Sequence, residues 1–137
     1  MKKTRHKSSL KKEIDTLKNC LDSEEKLELA VLVGSRATGT YHDNSDWDIA
    51  IRWDRDLDLM SKLSRTEVLR KKITQLDIGN HSKIDLIDIT AAKLAMRAEI
   101  SSNGILLVGD NTLAWSHFLL KIWRELEEFY WDKIYAT

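Results

Sequence analysis

The eight residues Asp46–Trp53, DWDIAIRW, constrain this chain more than any other stretch. Their alternation is that of a strand with one face in a core: Trp47, Ile49, Ile51 and Trp53 fall on one side, Asp46, Asp48, Ala50 and Arg52 on the other. Asp46 and Asp48 therefore project the same way, about 7 Å apart along the strand. Two bare carboxylates that close repel each other. A bound cation removes the conflict, and hard oxygen ligands with room for water suit Mg²⁺, commonly held by one or two carboxylates plus substrate phosphates.

A Gly-Ser pair upstream supplies what such a site would need. Gly34 ends the apolar run KLELAVLVG and lets backbone approach a ligand, and the amides that open SRATG, with the Ser35 hydroxyl, can donate to phosphate oxygens. Arg36 is either a clamp on the same phosphates or an exposed structural arginine. Ser35 is not read as a nucleophile, because it lacks the G-x-S-x-G context and no partner base is evident.

Around this centre the periodicities alternate. Ser9 is placed as the cap of a helix from about Leu10 to Leu21, followed by the KLELAVLVG strand and by DWDIAIRW. Leu59, Leu63, Leu69, Ile73 and Leu76 mark a surface helix from about Asp58 to Leu76, and HSKIDLIDI reads as a third strand. Thr90 or Asp88 is expected to cap a helix over Ala91–Ser101, "NG" to end it, and ILLVG to form a fourth strand. From Asn111 to Tyr135 one long helix carries an apolar stripe, with Trp115, Trp123, Phe129, Tyr130 and Trp131 mostly expected to pack on the sheet. The fold class is α+β, a small sheet covered by helices on one side.

Composition excludes several alternatives. The 137 residues fit one domain, 1–137, of which residues 1–25 form a basic extension and helix. Basic and acidic residues number 22 each, so there is no global charge for nucleic-acid binding, and the basic stretch Met1–Lys12 is expected to be a solubilising terminus. Cys20 alone allows neither an intrachain disulfide nor a cysteine-based zinc site, and is read as core packing. No apolar run reaches membrane-spanning length and no signal h-region follows the basic start, so the expected location is cytoplasmic. His6, His42, His81 and His117 have no metal-ligand spacing.

The spacing Gly34, Ser35, ten residues, then Asp46, Trp47, Asp48 resembles the G-S-x10-D-x-D signature of the DNA polymerase β-like nucleotidyltransferase superfamily. That resemblance implies a polymerase β-like fold with a mixed sheet, a Gly-Ser turn that holds the nucleoside triphosphate, and aspartates that bind two divalent ions. It also implies a third carboxylate on a neighbouring strand. KIDLIDI offers Asp85 and Asp88, three residues apart and so on opposite faces. With Asp88 in the site, Asp85 would lie mid-strand on the helix-packed side with Ile87 and Ile89, where an unpaired carboxylate is costly. Asp85 is therefore the expected third acid, and Asp88 is expected at the strand end.

The size and the order of elements after the motif resemble the minimal nucleotidyltransferase (MNT) group, and hence the antitoxin half of HEPN/MNT toxin–antitoxin pairs. The resemblance implies transfer of AMP from ATP to a tyrosine hydroxyl of a HEPN ribonuclease toxin and a complex between the two proteins, with no membrane partner and no nucleic-acid substrate. An antitoxin that neutralises by binding without turnover is the alternative from another class, and a small-molecule adenylyltransferase a third. The R-x4-6-H pattern of HEPN ribonucleases also matches Arg36 to His42, but both residues lie within the phosphate loop, so a ribonuclease is not inferred.

Overall fold

A computed structural model describes residues 2–78, 83–110 and 112–135, with the backbone alone for 2–9 and Tyr135. Its elements are α1 (Lys2–Asp22), β1 (Leu27–Val33), α2 (Ser35–Thr38), β2 (Trp47–Trp53), α3 (Leu59–Thr74), β3 (Ile84–Asp88), α4 (Leu94–Asn103), β4 (Ile105–Val108) and α5 (Leu113–Tyr135). The strands form one mixed sheet in the order β3-β2-β1-β4, with β2 and β3 parallel and the β1–β2 and β1–β4 pairs antiparallel.

Both faces of this sheet are covered, not one. On the first face, Leu17 and Leu21 of α1 and Leu69 and Ile73 of α3 pack on Trp47, Ile49 and Ile51. On the second, Ile100 of α4 and Phe118 and Ile122 of α5 pack on Leu29, Val31, Val33 and Ala50. Within β1 only Glu28 escapes full burial, as expected of a strand that reads apolar at consecutive positions. The sheet is thus the middle of three layers.

Local differences from the sequence reading have physical causes. The α1 backbone is helical from Lys2, so Ser9 is interior to the helix and not its cap; no proline or glycine interrupts residues 2–22. Helix α4 begins at Leu94, with Lys93 at the cap position and no side-chain cap bond. Asp88 Oδ1 instead accepts the Thr90 amide at 3.0 Å, a local turn that delays the helix. Gly104 closes α4 as expected. Of the third strand, His81 and Ser82 lie outside the described residues, as does Asn111 at the expected start of the last helix. In α5, Phe118 and Ile122 are buried and Trp115 packs beside them, while Trp123, Phe129, Tyr130 and Trp131 are exposed. Most of the aromatic stripe therefore faces away from the sheet. No helix among the described residues is long and apolar enough to cross a membrane.

Candidate active site

The candidate site begins where β1 runs out. Gly34 has φ 75° and ψ −157°, a backbone region that essentially only glycine occupies. A Cβ at this position would stand 2.5 Å from Asp48 Oδ2, so the turn and the carboxylate both need the hydrogen side chain. A single helical turn follows, Ser35–Thr38, closed by Gly39 in the left-handed region with its amide donating to Ser35 O at 3.0 Å. The first amides of such a turn have no intrahelical acceptor, which leaves them for a ligand or water.

The register of the sheet brings the acids together. Asp48 lies opposite Val33 on one side and Asp85 on the other, so Asp48 and Asp85 are neighbours on parallel strands about 4.8 Å apart. Asp46 stands just before β2, where the Trp47 amide donates to Lys83 O at 2.8 Å and ties the two strand starts together. Asp46 and Asp85 are exposed and Asp48 is half-buried. Burial pushes the Asp48 carboxyl above the ordinary carboxylate value, and the negative charges of Asp85 and then Asp46 push it further. Asp88 points to the opposite face and is exposed.

Oxygen-only donors with a repulsion to relieve match a divalent cation. Among the described residues no three His, Cys, Asp or Glu side chains converge tightly enough to enclose a metal by themselves. Asp46, Asp48 and Asp85 could hold such a cation only with further ligands from water or from a bound molecule.

Arg36 is not at this site. Its guanidinium is buried, 3% exposed, on the far side of the loop, stacked 4.4 Å from the Trp47 ring centroid and 5.0 Å from that of Tyr41. Its Nε and Nη2 donate to Ser45 O at 3.2 and 3.0 Å, and Nη1 lies 3.7 Å from Glu13 of α1. Neither sequence alternative, phosphate clamp or exposed arginine, describes it. Arg36 pins the loop 41–45 that delivers Asp46, and the partner that completes its pocket, Glu13, is too distant in sequence for any local pattern to reveal.

Cys20 packs against the first core cluster and burial pushes its thiol up, away from thiolate chemistry. His42 is exposed in the loop, its amide bonded to Ser45 Oγ at 2.9 Å.

A mixed sheet with a glycine turn against paired strand-end carboxylates defines a nucleotidyltransferase-type centre. The chain belongs to the polymerase beta nucleotidyltransferase family, whose model matches residues 15–113. It is similar to the protein adenylyltransferase MntA of Shewanella oneidensis, with 34% identity over 88 residues that cover 64% of this chain and 58% of that relative. The chain thus spans under two thirds of that curated relative's length. A crystal structure of a toxin–antitoxin with AMP-PNP superposes at a TM-score of 0.63 and 25% identity, over 85% of this chain and 91% of the other. A structure of tri-AMPylated Shewanella oneidensis HEPN toxin in complex with MNT antitoxin shares the fold, at a TM-score of 0.60 and 19% identity over 90% and 92% of the two chains.

Proposed function

We propose that this chain is an antitoxin adenylyltransferase that moves AMP from ATP to a tyrosine hydroxyl of a HEPN ribonuclease toxin. The observation that carries the reading is the placement of Asp48 beside Asp85, with Asp46 adjacent and Gly34 pressed against the Asp48 carboxylate. The likeness to an MntA adenylyltransferase and to a toxin–antitoxin bound to an ATP analogue supports the choice of nucleotide and of a protein acceptor.

In this reading Gly34 and Ser35 hold the triphosphate through backbone amides and the Ser35 hydroxyl. Asp46, Asp48 and Asp85 would hold Mg²⁺, with two ions expected and the remaining ligands supplied by water and by substrate phosphates. Bound metal supplies Lewis-acid stabilisation of the attacking oxygen and of the departing pyrophosphate. The tyrosine oxygen forms a bond to the α-phosphorus as the bond to the bridging oxygen of the β-phosphate breaks, and the phenolic proton leaves to solvent or to a neighbouring carboxylate. Asp85, exposed at the edge strand, is assigned the role of the acid acting near the acceptor. The exposed aromatic face of α5 gives a protein acceptor a surface to meet.

The test is intact mass of a co-expressed HEPN partner. Addition of one or more AMP masses with the wild-type chain, absent with Asp46→Ala/Asp48→Ala and absent when divalent metal is chelated, is the expected result. An unmodified partner that the double variant silences as well as the wild type would replace catalysis with neutralisation by binding.

A further inference from the structure

The chain leaves its parallel strand pair in two directions. After Trp53 it passes to α3, packed on the first face, and after Asp88 it passes to α4, packed on the second. Where parallel neighbours send their connections to opposite faces, a crevice opens beyond their carboxyl ends, and sheets of this kind bind ligands there. In this molecule that crevice is a cavity of about 740 Å³, within the range for small organic ligands. It is remote from the acids: Arg52, in its wall, follows Asp48 by four residues, about 13 Å along β2.

Its lining has a definite chemistry. Phe118 and Ile122, both buried, supply an apolar floor. Arg52 is paired with Glu28 at 3.2 Å and Arg97 with Glu125 at 2.5 Å, so these four wall residues cancel in charge. Arg55, Lys62 and Lys121 also line the cavity and take part in no ion pair among the described residues, which leaves three positive charges uncompensated. Within the Arg52–Glu28 pair, Arg52 Nε and Glu28 Oε2 are buried without hydrogen-bond partners. An occupant with an anionic acceptor beside a hydroxyl donor would satisfy both after a small side-chain rotation.

We propose that this cavity is a second ligand site, for a small organic phosphate of about three negative charges, separate from the acid-lined centre. The apolar floor favours an organic group over a bare inorganic anion, and a volume of this size suits a small molecule. The inference does not depend on adenylyl transfer.

Pyrophosphate and ADP, similar in charge, are the probes. Each is titrated into the full chain in EDTA at low salt, with affinity from calorimetry and location from amide chemical shifts. The expected result is one equivalent of ADP bound more tightly than pyrophosphate, with shifts at Thr90 and Leu113–His117. Lys62→Gln/Lys121→Gln, at positions that are not buried, is expected to weaken ADP about tenfold or more with its thermal unfolding unchanged. Ser35→Ala is expected to leave the affinity as it is. Shifts confined to Ser35–Gly39, equal affinity for the two probes, an unaffected double variant, or no binding at millimolar concentration would each overturn the proposal. Tight binding of an acidic peptide with no ADP binding would overturn it in favour of a macromolecular partner.

Discussion

Asp48 is the residue whose environment opposes its charge. Burial, then Asp85 and Asp46, make its ionised form less favourable in the folded state than in the unfolded chain. The folded state holds this proton more tightly, so its stabilising contribution is complete below the unfolded value and is lost as pH rises through the folded one. Asp48→Asn keeps the shape and removes the charge. It is expected to raise the melting temperature at pH 7 in the absence of metal, with the difference closing as the solution is acidified towards the ordinary carboxylate range, and scanning fluorimetry at both pH values checks this. A variant that melts lower than wild type at pH 7 would mean that the carboxylate is held by favourable bonds. Arg36 makes a contrasting case. Its removal strands Ser45 O, takes away the Glu13 contact and loses two aromatic contacts, so Arg36→Ala should cost about 2–4 kcal/mol in urea unfolding, with Arg36→Lys recovering little of it. A raised KM for ATP with unchanged stability would restore the phosphate clamp. At this scale the acids were legible because strand alternation fixes which way they point, whereas the role of Arg36 was not, because its surroundings are assembled from α1 and β2.

Among the elements, strands were read more accurately than helix ends. β2 ends at Trp53 with DWDIAIRW and begins one residue inside it, at Trp47, and Gly104 ends α4 as "NG" requires. The starts of α1 and α4 were misplaced for the same reason: Ser9, Asp88 and Thr90 are cap-type residues, but a cap needs a preceding chain that leaves the helical path. Nothing before Ser9 breaks the helix, and Asp88 spends its oxygen on Thr90. One-sided coverage does not fit β1, where Ala30 and Leu32 are as apolar as their neighbours and form the other face. Packing on that face makes α1 part of the core and not an appendage. Leu17, fully buried beneath the sheet, is the test: Leu17→Ala is expected to cost about 2–5 kcal/mol by chemical denaturation. A loss under 1 kcal/mol would return the N-terminal helix to the status of an extension.

For the molecule as a whole, a net charge of zero conceals a division along the sheet. The amino ends of β2 and β3 present Asp46, Asp48 and Asp85, and the carboxyl ends open onto Arg55, Lys62 and Lys121. No motif announced the second group, since its members come from separate segments that only the tertiary fold unites. The long last helix divides in the same way between core and surface. Up to Leu126 it contributes Phe118, Ile122 and half-buried neighbours to the second cluster, whereas every described residue from Glu127 to Ile134 is exposed. A chain ending at Leu126 therefore keeps both core clusters, and its unfolding free energy is expected to stay within about 1 kcal/mol of the full chain. In the proposed function it loses the Phe129, Tyr130 and Trp131 face, so it is expected to fail to co-purify with a HEPN partner although it remains folded. Sedimentation of the co-expressed pair, with urea unfolding of the shortened chain alone, separates the two effects. A shortened chain that unfolds several kcal/mol earlier would show that the exposed turns are covered within the free protein, and one that still binds the partner would move the contact elsewhere on the molecule.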